Sequence, residues 1–236
     1  MPKYGMVIDL SRCTGCRACM VACKVENNTP QENFWMHVFR FEDGTYPDTR
    51  VRFMPRPCMH CENPPCVDAC PTGARFTRED GLVATDFETC IGSRYCQAAC
   101  PYGVNYFNFD EPSGRYYLDW DNTVVPPYAN PSLDVPYGEE QLKVAGGGKA
   151  RGVIEKCTFC VHRVEDGRLP ACAAVCPTNA IHFGDLDDPN SEVSKLLAES
   201  ESFRLMHRFG TKPKVHYING KAPRTGMVEI EQVGGY

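Results

Sequence analysis

No stretch of this 236-residue chain is apolar for the ~18 residues that a membrane-crossing helix needs. No helical span is therefore expected in it. The start, Met1-Pro2-Lys3-Tyr4-Gly5-Met6-Val7-Ile8-Asp9, has neither the apolar core of a secretory signal nor a twin-arginine motif. The expectation is a polypeptide without an export address of its own. A basic excess is also lacking. The 25 Lys and Arg are outnumbered by 30 Asp and Glu, for a formal net charge of −5, so no nucleic acid is expected as partner. There is no Ser/His/Asp set, no phosphate loop and no G-x-G-x-x-G. Gly146-Gly147-Gly148-Lys149 is too short and unframed to bind a nucleotide. Nothing marks a substrate-transforming site, so no catalytic residue is assigned.

Cysteine is what the chain has in excess, with 15 residues. That density stays below the ~8–10 % usual for a small disulfide scaffold, and an odd total argues against complete pairing. Spacing separates the remaining explanations. The first group is Cys13, Cys16, Cys19 and Cys23, spaced C-x2-C-x2-C-x3-C. The second is Cys58, Cys61, Cys66 and Cys70, spaced C-x2-C-x4-C-x3-C and followed by Pro71. The third is Cys90, Cys96 and Cys100, spaced C-x5-C-x3-C and followed by Pro101. The fourth is Cys157, Cys160, Cys172 and Cys176, spaced C-x2-C-x11-C-x3-C and followed by Pro177. This is an internal repeat. Zinc sites gather two C-x2-C pairs separated by ~15–20 residues. Three close cysteines with a fourth before Pro instead match the bacterial two-cluster iron–sulfur pattern, in which the fourth cysteine ligates the other cluster.

Applying that exchange to four groups gives two interlocking pairs. The second and third groups are close in sequence, which leaves the first to pair with the fourth. Cluster one is then expected on Cys13, Cys16, Cys19 and Cys176, and cluster two on Cys157, Cys160, Cys172 and Cys23. Cluster three is expected on Cys58, Cys61, Cys66 and Cys100. Cluster four has Cys90, Cys96 and Cys70, one thiolate short. Ser93 stands where the pattern would put the missing cysteine. A serine hydroxyl ligates iron poorly at neutral pH, so three [4Fe-4S] clusters and one [3Fe-4S] cluster are expected. The alternative is Ser93 as an alkoxide ligand and four [4Fe-4S] clusters. Arg94 either favours the reduced form of cluster four or makes a surface ion pair. His60, His162 and His182 lie near cysteine groups and are read as supporting or structural residues, since the other clusters already have four thiolates.

The fold class is α+β: two interlocked ferredoxin-like modules with an irregular insertion. Residues 1–57 plus 151–236 form the module of clusters one and two. Residues 58–109 form the inserted module of clusters three and four, and residues 110–150 are the insertion. That insertion, rich in Pro and in Tyr116, Tyr117, Trp120, Tyr128 and Tyr137, is either a solvated loop or a docking surface. Short strands are expected at 51–54, 104–109, 180–184 and 215–218, with a hairpin turning at Asp80-Gly81. Asp188-Pro189 reads as the start of a packing helix, with Val193, Leu196, Leu197, Phe203, Leu205 and Met206 as its apolar face.

Several segments carry a resemblance to a known family. They are Cys58-Met59-His60-Cys61-Glu62-Asn63-Pro64-Pro65-Cys66-Val67-Asp68-Ala69-Cys70-Pro71-Thr72-Gly73-Ala74, Cys96-Gln97-Ala98-Ala99-Cys100-Pro101-Tyr102-Gly103 and Lys156-Cys157-Thr158-Phe159-Cys160-Val161-His162-Arg163. Together with Gly184-Asp185-Leu186-Asp187-Asp188-Pro189, they resemble the four-cluster electron-transfer subunits of molybdopterin oxidoreductases, such as dimethyl sulfoxide, polysulfide and arsenate reductases. The resemblance implies a relay of single electrons between a large molybdopterin-type subunit and an integral membrane quinone-reactive subunit, with a cytochrome c as a further candidate partner. It also implies a peripheral position at the cytoplasmic membrane, on the periplasmic face by co-export with a partner, or else on the cytoplasmic face. Cys90-Ile91-Gly92-Ser93-Arg94-Tyr95-Cys96 is closer to quinone-linked complexes of the alternative complex III and periplasmic quinone reductase type. The other readings are a stand-alone soluble polyferredoxin and an iron–sulfur partner of a hydrogenase or formate dehydrogenase.

Overall fold

Closely spaced Pro, Gly and Cys leave room only for short elements, because proline ends helices and glycine favours turns. The computed structural model describes residues 2–27, 29, 33–109 and 151–221. The expected insertion at 110–150, with its aromatic residues, lies outside the described residues. In chain order the elements are β1 (Tyr4–Asp9), α1 (Ala18–Asn27), β2 (His37–Asp43), β3 (Arg50–Arg56), α2 (Pro65–Asp68), β4 (Arg75–Thr77), β5 (Val83–Thr85) and α3 (Tyr95–Ala99). They continue with β6 (Tyr106–Phe107), β7 (Ile154–Glu155), α4 (Val161–Glu165), α5 (Ala171–Ala174), β8 (Ile181–Asp185), α6 (Glu192–Glu199), β9 (Ser202–Phe203) and β10 (Val215–Ile218). The result is mixed α and β with small sheets. Helix α1 is the longest among the described residues at 10 residues, because the first group has no trailing proline and the helix runs on past Cys23. Pro71, Pro101 and Pro177 follow the last cysteine of the other groups and close their short helices.

The largest sheet has the order β8-β1-β10-β9. Strand β1 is antiparallel to β8, with Ile8 opposite Ile181, and parallel to β10, with Met6 opposite Val215. This pairing joins the first and last strands of the described residues. β1 leads into the first cysteine loop and β8 leaves the fourth. The junction is tied by the Asp9 N–H, which donates to the Ala180 carbonyl at 2.8 Å. A second junction repeats it: the Asp86 N–H donates to the Ala74 carbonyl at 2.7 Å. Asp86 precedes Cys90 by the same interval as Asp9 precedes Cys13, and Ala74 follows Cys70 as Ala180 follows Cys176. The β4–β5 hairpin, with Arg75 opposite Thr85, thus folds the third loop onto the end of the second. Helix α1 packs on α5, and α2 packs on α3. The main core joins Met6, Ile8, Trp35, Met36, Met59, Phe159 and Tyr217 to cysteines of the first, second and fourth groups.

The hairpin turns as expected, with Gly81 at φ 76° and its N–H on the Arg78 carbonyl. The strands at 181–185 and 215–218 also form where they are expected. Two expectations need correction. The Asp188 side chain does not cap a helix; it accepts from the Asn190 N–H at 2.8 Å and builds a turn. The cap is Ser191, whose Oγ accepts from the Ser194 N–H at 3.2 Å, an N-cap arrangement. The apolar face of α6 ends at Leu197. Phe203 sits on β9 opposite Tyr217 instead, and Met206 is exposed. Strands β1 and β2 were not expected: β1 carries no turn signal before its cysteine loop, and β2 finds its register only against β3.

Candidate metal centres

A loop that wraps its cysteines around a common centre must bend against the usual right-handed backbone preference. The third residue of each cysteine loop does so. Gly15, His60, Gly92 and Phe159 have φ of 71°, 41°, 67° and 56°. At Gly92 the room is as limiting as the angle, because an added Cβ would run into the Gly152 carbonyl oxygen. None of the cysteines is in a disulfide.

The loops line small cavities. One is lined by Cys13, Cys16, Cys19 and Cys176. Another is lined by Cys58, Cys61, Cys66 and Cys100. A third is lined by Cys70, Cys90, Cys96 and Ser93. Cys23, Cys157, Cys160 and Cys172 meet in the core. There the Asn27 side-chain amide donates to both Cys23 Sγ and Cys160 Sγ, each at 3.6 Å. Cys157 and Cys172 are the charge neighbours of Cys23 and Cys160. Among the described residues, no three His, Cys, Asp or Glu converge tightly enough for a single ion. Zinc sites hold four ligands about one point, whereas these sulfurs are spread around the walls of a cavity. That spacing fits an occupant containing several metal atoms.

Burial governs the thiols. It pushes Cys19, Cys61 and Cys157 up to about 12, with neighbouring thiols adding repulsion. Cys66 reaches about 11 by burial, partly offset by Arg75. Cys23 and Cys172 are also raised well above the ordinary value, again by burial first. Thiolate is the ligating form, so these sites call for positive charge to make it. Cys70 and Cys176 differ. Burial opposes their ionisation too, but backbone N–H groups of the Cys-Pro turn outweigh it and hold both thiols below the ordinary value. The Arg75 N–H donates to Cys70 Sγ at 3.4 Å and the Ala180 N–H to Cys176 Sγ at 3.2 Å.

The three histidines line none of these cavities. His60 is fully buried. Its Nδ1 accepts from the Val83 N–H at 3.0 Å, so Nε2 carries the hydrogen and donates to the Cys157 carbonyl at 3.0 Å. Its ring lies 4.0 Å from that of Phe159, joining the second cysteine loop to the fourth. His162 meets Glu26 at 2.6 Å, and His182 meets Glu192 at 2.9 Å. Arg94 forms no ion pair among the described residues and lies outside the wall of the fourth cavity. Its exposed guanidinium stacks over Phe107 at 4.7 Å. The cation in that wall is Arg75, whose Nη2 donates to Cys96 Sγ at 3.5 Å. Lys156 is likewise buried, lines the Cys58 cavity and donates to the carbonyls of Val83 and Cys157. Sequence reasoning missed Asn27, Arg75 and Lys156. For Arg75 a signal existed: aligning the Cys-Pro units shows that it alone is charged at its position.

Models of the 4Fe-4S dicluster domain match residues 12–74 and, in a second case, residues 49–114 with 140–186. The chain is 43 % identical over 234 residues to a protein of Halobacterium salinarum named as a dimethyl sulfoxide reductase iron–sulfur subunit, covering 94 % of this chain and 80 % of that one. It is 39 % identical over 235 residues to the arsenate respiratory reductase iron–sulfur subunit of Shewanella sp. (strain ANA-3), covering 94 % and 99 %. It is also 39 % identical over 246 residues to the iron–sulfur cluster-binding subunit of menaquinone reductase of Nitratidesulfovibrio vulgaris, covering 92 % and 89 %. Identities this even do not favour one substrate. By these matches, at 39–43 % identity over most of each chain, the chain belongs to the iron–sulfur electron-transfer subunits of the molybdopterin oxidoreductases.

Proposed function

We propose that this chain relays single electrons through four iron–sulfur clusters, between a large molybdopterin-type catalytic subunit and an integral membrane quinone-reactive subunit. Bound clusters supply one-electron chemistry at potentials set by charge, hydrogen bonds and exposure. The chain's own residues do the rest. Cys13, Cys16, Cys19 and Cys176 hold the first centre, and Cys23, Cys157, Cys160 and Cys172 the second. Cys58, Cys61, Cys66 and Cys100 hold the third, and Cys70, Cys90 and Cys96 the fourth. The turn N–H groups on Cys70 and Cys176 stabilise thiolate, and the apolar walls exclude water. The observation that carries this reading is the lining of the cavities: each combines sulfurs of one loop with the last cysteine of another. Such an exchange makes two interlocked modules, residues 1–57 with 151–236 and residues 58–109. The finer assignment is three [4Fe-4S] clusters and one [3Fe-4S] cluster, the last beside Ser93. A quinone-reactive partner is supported by the name of the menaquinone reductase relative.

Electron paramagnetic resonance of the air-oxidised complex, with iron quantified, tests this. An oxidised three-iron signal of one spin per chain, beside three centres that become paramagnetic on reduction, is the expected result. A silent oxidised sample with four reducible centres would instead mean that Ser93 or another group supplies a fourth ligand. Purification without larger chains would remove the relay between subunits.

A further inference from the structure

The three Cys-Pro units align as Cys70-Pro71-Thr72-Gly73-Ala74-Arg75, Cys100-Pro101-Tyr102-Gly103-Val104-Asn105 and Cys176-Pro177-Thr178-Asn179-Ala180-Ile181. The fifth residue after each cysteine lines a cysteine cavity: Ile181 beside Cys13, Asn105 beside Cys58 and Arg75 beside Cys90. Two of these side chains are neutral. The guanidinium stands at the cavity that lacks a fourth thiol. Arg75 is 2 % exposed. Its Nη2 donates to Cys96 Sγ at 3.5 Å, while Nε and Nη1 have no hydrogen-bond partner among the described residues. Nor does any carboxylate among those residues pair with it. A buried guanidinium left in that state is strongly unfavourable unless a negative group occupies the space it faces. Thiolates around an iron–sulfur centre are such a group.

We propose that Arg75 is the charge partner of the fourth centre: it anchors the occupant of the Cys70, Cys90 and Cys96 cavity by hydrogen bonds and raises its reduction potential. The proposal rests on the cysteine assignment above. Its physics is direct. Reduction adds one electron and therefore one negative charge; no bond forms or breaks. A fixed cation in contact favours that state, and burial protects the interaction from salt.

The test uses the intact complex with Arg75→Gln and Arg75→Lys, reading iron content and the resonance signal of each centre in a redox titration. In the Gln variant, the reduced-to-oxidised ratio of the fourth centre at fixed ambient potential should fall at least ten-fold, about 59 mV for a one-electron couple. The other three centres should not move. The Lys variant should keep most of the original potential. An unshifted fourth centre in the Gln variant overturns the proposal. Should the Gln variant lose the centre, the Lys variant decides. Retention near the original potential supports a charge role, and loss there too shows that Arg75 only fills space and overturns it. A parent complex that has no iron at Cys70, Cys90 and Cys96 defeats the cysteine assignment itself, an outcome visible before any variant is compared.

Discussion

Serine at position 93 sets the third cysteine group apart, because a hydroxyl in place of a thiol changes what that corner of a cage can hold. Replacing Ser93 with Cys supplies a thiolate at a position that already lines the cavity. The expected outcome is one more iron per chain and disappearance of the oxidised three-iron signal, read by iron analysis and resonance on the same sample. Histidine 216 gives a second test at this scale, away from the cysteines. Burial, followed by the charge of Arg204, lowers it from 6.5 to about 4. The folded chain therefore keeps His216 neutral where the unfolded chain is protonated. Between pH about 6.5 and about 4 the unfolded state binds more protons, so stability is present above this window and is lost as pH falls through it. One such group contributes a slope of at most about 1.4 kcal/mol per pH unit. His216→Gln should flatten the dependence of melting temperature on pH in that window; an unchanged slope would exclude the residue as a contributor. The cysteine ligand candidates were legible from spacing alone. Arg75 and Lys156 were not, because a charged residue inside a strand or before a cysteine reads as solvent-facing until its burial is known.

The elements are set by local chemistry that the repeat makes easy to see. A left-handed third residue bends each loop, and a proline or its absence decides whether the helix after it ends or continues. Gly92→Ala tests the loop. It asks an L-residue to hold φ 67° and places a Cβ against the Gly152 carbonyl and the Phe107 ring. Strain of this kind costs about 1–3 kcal/mol. The expected result is loss of the fourth centre's signal with the other centres kept. Gly73→Ala is the comparison, since it meets nothing within 4 Å and carries only the backbone cost, about 1–2 kcal/mol. Equal damage from both would show that the close approach of Gly152 does not matter. The helix at 192–199 illustrates the limit of end signals. Asp188-Pro189 satisfies the cap pattern, yet Ser191 wins because the Asp188 carboxylate is engaged in its own turn.

Across the whole molecule, sulfur takes the place that apolar side chains usually fill. Cys19, Cys23, Cys58, Cys61, Cys157 and Cys172 belong to the same core as Trp35 and Tyr217. Metal binding to such a core is also folding free energy. Removing iron with a chelator under reducing conditions should abolish near-ultraviolet circular dichroism and open the chain to protease, not leave a folded apoprotein. A compact, protease-resistant apoprotein would show that side-chain packing alone holds the fold. The sheet that joins β1 to β8 and β10 is also decided at this scale, since its strands lie far apart in the chain.

The sequence by itself determined the cysteine groups and the odd position at Ser93, and their spacing carried the expectation of an exchange, because a cage around a metal cluster demands ligands at fixed intervals along the chain. It also determined the hairpin and the closing strand, where turn residues and apolar runs act within a few residues of one another. Only the tertiary structure decided which cation faces the fourth cavity, why His60 joins two loops and how β1 finds its partners. Those outcomes depend on contacts between residues far apart in the chain, and on burial, which converts an ordinary charged side chain into an unscreened one.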